Sequence, residues 1–135
     1  MQLQVFSANR PEELDAAFAS IARAKAEAVV FLADPMFFGQ RNRIAELALR
    51  FQLPTGFARR ENVDAGGLLA YGPNLSEQIR PAATFVDRIL RGSLPADLPV
   101  EQPTRLEFII NLKTAKALGL SIPRSISMRA DEAIE

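Results

Sequence analysis

AGGLLAYGPNLSEQIRPAATFVDRILRGSLPADLPVEQPT, residues 65–104, decides how this chain folds. It reads as a glycine turn, a short apolar strand over 68–71, a Gly72-Pro73 break, a long helix and an extended return. Asn74 stands three residues before Glu77, the spacing of a capping box. Leu75, Ile79, Ala82, Val86 and Ile89 then recur at helical intervals, with Ala83 and Leu90 widening the stripe. Gly92 occupies a C-terminal glycine position. Pro95, Pro99 and Pro103 keep the following segment extended and out of a central strand. Pro81 breaks the pattern, because inside a helix it removes a donor, so the helix either bends there or starts later. A strand that leaves its sheet, one helix and a stiff return is how a chain crosses between two lobes and back.

Working outward toward the amino terminus, residues 3–7 make a short strand candidate. Pro11 suits the first helical position, and Glu12 and Glu13 suit the first turn. Leu14, Phe18, Ile21 and Ala22 form the buried face of that helix. Residues 28–33 (AVVFLA) are a continuous apolar run, as expected for a parallel strand covered on both sides, and Asp34-Pro35 stops it. A helix over 40–51 packs through Ile44, Leu47, Ala48 and Phe51. Residues 53–58 form a third strand, and a turn of helix over 61–65 leads to Gly66-Gly67. Beyond the crossover, 105–112 is a strand with Leu106, Phe108 and Ile110 on one face. A short helix over 113–118 closes at Gly119. The tail, 124–135, offers at most a last helical turn through Ala130, Ala133 and Ile134. The alternation predicts an α/β fold with a doubly wound, Rossmann-like parallel sheet and right-handed crossovers.

The series GGLLAYGPN, ADLPVEQPT and INLKTAKALGLSIP, at this joint spacing, resembles the C-terminal half of ABC-transporter substrate-binding proteins of the type I periplasmic-binding class. Within that class it is similar to the group associated with aromatic amino-acid uptake, and the resemblance covers essentially the whole chain. It implies a partial solute-binding component. Residues 1–72 would be a carboxy-terminal-type lobe, 73–103 the crossover helix and its return, and 104–135 the returning strand, short helix and tail, all in one continuous unit. Family members begin with an export signal and an amino-terminal lobe. The resemblance therefore implies a periplasmic or other extracytoplasmic location and an ABC permease as partner. Met1-Gln2-Leu3-Gln4 has no basic leader region, so a cytoplasmic location stays open for the chain expressed as written.

Composition narrows the classes further. Of 135 residues, 48% are hydrophobic and 24% charged, which suits one ordinary globular domain. Sixteen basic and sixteen acidic side chains cancel, so no overall field favours nucleic acid, and no apolar run is long enough for direct membrane insertion. With no cysteine and no histidine, the usual triads and Cys/His zinc sites are excluded. No glycine-rich nucleotide cradle occurs. An aspartyl-phosphate receiver would need acidic residues after its first strand, where Ser7-Ala8-Asn9 stands. The expectation is a binder with no cofactor, not an enzyme.

Open α/β sheets bind ligands outside the carboxyl ends of their strands. That rule puts Ser7 and Asn9, then Asp34, Met36, Phe37 and Phe38, then Phe57, Arg59 and Glu61, then Tyr71 and Asn74 at the candidate site. Asp34 could accept from a ligand ammonium or simply cap a helix before proline. Phe37, Phe38 and Phe57 could wall an aromatic ligand or only fill the core. Met36 is a pliable wall or a gap-filler. Arg59 or Arg60 could pair with a ligand carboxylate or stay solvated. Tyr71 either lines the cleft or pins the hinge. The ligand set expected is Asp34, Met36, Phe37, Phe57, Arg59 and Tyr71, for a small amino-acid-like ligand with an aromatic or apolar side chain. A rival reading makes the chain an interaction module, a homodimer joined through the crossover stripe Leu75, Ile79, Ala82, Val86 and Ile89.

Overall fold

The computed structural model describes residues 2–100 and 105–135, so the expected role of Pro103 lies outside the described residues. A 3-10 turn at Pro11–Glu13 runs into α1 (Leu14–Arg23), then come β1 (Val29–Val30), α2 (Pro35–Gly39) and α3 (Arg41–Arg50). β2 (Thr55–Phe57), α4 (Arg60–Asp64), β3 (Leu69–Pro73) and α5 (Leu75–Leu90) follow. After a 3-10 turn at Pro95–Asp97, the chain ends with β4 (Leu106–Asn111), α6 (Leu112–Ala117), α7 (Arg124–Ser127) and β5 (Glu132–Ile134).

The five strands form one sheet in chain order, β1-β2-β3-β4-β5. β1–β2, β2–β3 and β4–β5 pair parallel, and β3–β4 pair antiparallel. The α/β class and the mostly parallel sheet are as the sequence pattern predicts. The antiparallel pair follows from the crossover: the chain goes out through β3 and comes back through β4 beside it.

Register shows which face holds the core. Phe57 pairs with Ala70 and Ala70 with Ile109, so these three share a face. Leu14, Phe18 and Ile21 of α1, Ile44, Leu47 and Ala48 of α3 and Val63 of α4 pack on it in one cluster. Helices α1 and α3 bury residues at three- and four-residue spacing, which is how an apolar stripe meets a sheet. The opposite face carries Val30, Gly56, Leu69, Ile110 and Tyr71; it is covered at Ile110, 2% exposed, and open toward Val30 and Tyr71, 76% and 59% exposed.

Four expectations change. Residues 28–33 are not covered on both sides: only Val29–Val30 pair as β1, a strand at the sheet edge, and Leu32 is 79% exposed. An edge strand with helices on one face alternates in burial even when its sequence does not. Residues 3–7 form no strand, and Leu3 and Val5 stand 83% and 86% exposed; among the described residues no strand pairs with them. The end of the tail is a strand rather than a helical turn. β5 takes the free side of β4, and the Asp131 carboxylate, just before it, accepts from the N–H of Phe108 at 2.8 Å. Finally, Gly72-Pro73 does not break β3, which pairs through both residues. Gly72 is required there: a Cβ would lie 2.1 Å from the carbonyl oxygen of Ala58.

The crossover helix caps as its sequence predicts. Asn74 Oδ1 accepts from the N–H groups of Ser76 and Glu77 at 2.9 and 3.2 Å. At the other end, Gly92 N–H donates to Ile89 and Ser93 N–H to Arg88, both at 3.0 Å, with Gly92 at φ +99°. That pairing is a Schellman motif. The helix runs through Pro81, and Ile79, Val86 and Ile89 are 59%, 55% and 42% exposed. Its apolar stripe is left open by the described residues.

Candidate functional site

A shallow pocket lies at the carboxyl ends of β1 and β2, where the topology of an open α/β sheet places a ligand. Phe31, Phe37 and Phe38 give it an apolar wall, and Asp34, Arg59 and Asn62 contribute polar groups. The space this wall encloses alone is about 10 Å³, room for a water and far below what an amino acid occupies.

An aromatic row ties the pocket to the core. Phe31 stacks on Phe57 at 5.1 Å with 10° between the rings, and meets Phe37 edge-on at 5.4 Å. Phe18 and Phe51 continue the row inward. The pocket wall is thus held by the same packing that stabilises the sheet.

Asp34 is the N-cap of α2, with Oδ1 accepting from the N–H of Met36 at 2.7 Å. Its other oxygen makes no hydrogen bond among the described residues. The capping role and the pocket role coexist, since Pro35 fixes the first helical φ and leaves the carboxylate at the rim. Arg59 stands at the N-cap position of α4, its guanidinium over the Phe38 ring at 5.4 Å. Arg41 approaches the same ring at 5.0 Å and donates to the Phe38 carbonyl at 3.1 Å. Neither arginine forms an ion pair among the described residues. Arg60 is committed elsewhere. Its two terminal nitrogens grip the Glu132 carboxylate at 2.5 and 2.7 Å, which holds the arginine above and Glu132 below their ordinary pKa values.

Of the expected ligand residues, the pocket brings together Asp34, Phe37 and Arg59. Met36 lies in α2 but does not line the pocket. Phe57 is buried in the core at 5% exposure, behind Phe31. Tyr71 belongs to the other face of the sheet, where its ring meets Phe108 edge-on at 6.2 Å. Strand alternation puts it there: Tyr71 is one residue past Ala70, which is in the core. Asn74 is occupied by capping and by a 2.9 Å hydrogen bond to Glu107, and the Asn9 N–H donates to Glu13. Sequence reasoning missed Phe31 and Asn62. Phe31 reads as strand interior in the AVVFLA run, and Asn62 falls in the short helical turn over 61–65, which carries no site signal of its own. Among the described residues no cluster of His, Cys, Asp and Glu could hold a metal ion. No helix there is long and apolar enough to cross a membrane.

A family model described as ABC transporter substrate binding protein matches residues 1–134. The chain belongs to the ABC transporter substrate-binding protein family. Among solved structures, a conserved domain protein from Vibrio cholerae O1 biovar El Tor superposes with TM-score 0.86 at 24% identity, over 93% of this chain and 42% of that one. An ABC domain from Streptococcus pneumoniae in complex with L-Trp gives TM-score 0.88 at 21% identity, over 99% and 46%. CD0873 of Clostridium difficile, a substrate-binding protein with adhesive properties in its ligand-free, open form, gives 0.63 at 20% identity, over 92% and 41%. At these identities the likeness is one of fold. This family member spans less than half the length of each of those chains. No curated protein matches the sequence.

Proposed function

We propose that this chain forms one wall of a cleft for a small amino-acid-like ligand, with an aromatic or apolar side chain, in the solute-binding part of an ABC importer. The observation that carries the reading is the pocket itself. An unpaired guanidinium and a carboxylate flank a phenylalanine wall at the carboxyl ends of two parallel strands. Arg59 would take the ligand carboxylate in a bidentate contact, Asp34 would accept from the ammonium, and Phe37 with Phe38 would receive the side chain. Met36, Phe57 and Tyr71 have supporting places at most. The L-Trp bound to the Streptococcus pneumoniae structure and the family membership favour such a ligand. A second lobe would close over this wall, and the ligand would stabilise the closed state by touching both. Delivery to a permease from outside the cytoplasm completes the reading, and the role is binding rather than catalysis.

The small enclosed volume sets the test. Calorimetric titration of the chain with L-tryptophan, L-phenylalanine and L-tyrosine should give no micromolar isotherm. The same ligands at millimolar concentration should shift the backbone amide resonances of Asp34 and Arg59. A micromolar isotherm overturns the one-wall reading, and silent pocket resonances overturn the ligand reading.

A second reading has its own observation, the open stripe on α5. Covering Leu75, Ile79, Ala82, Val86 and Ile89 would be worth several kcal/mol, on the order of 1 kcal/mol or more for each large side chain. That is enough to join two copies into a homodimer. Light scattering that shows a strict monomer at high concentration would exclude it.

A further inference from the structure

Four polar side chains are buried among the described residues: Thr55, Asn62, Asn111 and Thr114. Three have their partners. Thr55 Oγ1 accepts from the Leu68 N–H at 3.1 Å, and Thr114 Oγ1 donates to the Gly66 carbonyl at 3.0 Å. Asn111 Oδ1 accepts from the Thr114 N–H at 2.9 Å, while its Nδ2 donates to the Val63 carbonyl at 3.2 Å. Asn62 differs. It is 7% exposed, and its Oδ1 is the one buried side-chain polar atom among the described residues with no partner. Its backbone is fully engaged, the N–H donating to Arg59 at 3.3 Å and the carbonyl accepting from Gly67 at 2.9 Å. Only the carboxamide is idle. A buried carbonyl without a donor is costly, and an apolar side chain of the same size would avoid the cost. Such an orphan calls for a partner that the chain itself does not hold.

The place of Asn62 says what the partner is. It lines the pocket beside Asp34 and Arg59, one turn into the helix that Arg59 begins. Arg59 supplies a cation there, whereas the idle atom of Asn62 is an acceptor. A carboxamide can also turn about its last bond to bring its oxygen to the pocket side. We propose that the Asn62 carboxamide is a head-group contact of this site, accepting a hydrogen bond from the ammonium of a zwitterionic ligand whose carboxylate lies on Arg59. The proposal rests on the ligand-cleft reading above and adds to it a residue and a demand: the ligand must carry a donor next to its acid group.

The test uses the full chain, labelled with nitrogen-15, and two probes that differ in the ammonium alone, L-tryptophan and indole-3-propionate. Millimolar L-tryptophan should shift the Asn62 side-chain amide resonances together with the backbone amides of Asp34 and Arg59. Indole-3-propionate should shift Arg59 and leave the Asn62 side chain where it was. Asn62→Leu should weaken L-tryptophan binding about tenfold, the equivalent of one hydrogen bond, while its melting temperature stays level or rises. If the pocket amides respond but the Asn62 side chain is silent, Asn62 houses only a water. The proposal then falls and the cleft reading stands. Equal binding by Asn62→Leu has the same meaning. If no pocket resonance moves with either probe, both fall together. Should the leucine variant fail to fold, the side-chain resonances of the native chain still decide.

Discussion

Asp34 holds a helix end and a pocket rim at once, and two substitutions separate the roles. Asp34→Ala removes the cap and should cost about 1 kcal/mol of stability. Asp34→Asn keeps a capping oxygen, so urea unfolding should place it within about 0.5 kcal/mol of the native chain. Only its millimolar L-tryptophan response should fall. Arg59 and Arg60 carry the opposite lesson. They are adjacent and chemically identical, and the sequence offered either one to a ligand carboxylate. Glu132, far along the chain, claims Arg60 and leaves Arg59 at the pocket. Such a choice depends on a long-range contact, which local pattern does not contain. It has a pH signature. The Arg60 hydrogen bond depresses the Glu132 pKa below its ordinary 4.5, so the ion pair stabilises the fold above that value. Its contribution disappears as pH falls through the lower folded value. Melting curves should therefore show native above Glu132→Gln at pH 7, and the gap should narrow and vanish as pH falls below the ordinary glutamate range.

At the scale of elements, legibility tracks how local the cause is. Helices α1, α3 and α5 follow from apolar spacing and from Asn74 and Gly92, and each lies within a residue or two of its expected place. The strands depend on partners. Residues 3–7 are as strand-like in composition as β2 yet pair with no strand among the described residues, whereas β5, which reads as a fraying helical turn, is held by β4. The pocket was half legible for the same reason: topology pointed to the loops after β1 and β2, but the turn of α4 that brings Asn62 inward was not visible in its composition. Pro81 stays inside α5, where it cannot donate to the carbonyl one turn back. Pro81→Ala should firm the helix by up to about 3 kcal/mol. The readout is slower amide exchange through α5. Global melting should move little, because the helix rests on the sheet so lightly.

For the molecule as a whole, one face of the sheet is packed throughout and the other is covered at Ile110 but open at Val30 and Tyr71, with an exposed helical stripe on α5. Packing against α1, α3 and α4 gives the fold its stability, and α5 contributes little to that cluster. Val30, Leu32, Ile79 and Val86 are apolar and exposed, and lie outside that cluster.

The pairing of Pro73 with Leu106 sets the route of the chain. Whatever the polypeptide does between those two positions, it departs and returns through a single doorway about 5 Å wide. The excursion is an appendage on a closed circuit. Splicing a two-residue Asn-Gly hairpin in place of residues 74–105 should leave the rest folding cooperatively. A shortened protein that melts as sharply as its parent would mark the sheet as the architectural unit and the helix as cargo it carries. A collapse of cooperativity would mean the detour holds the building up.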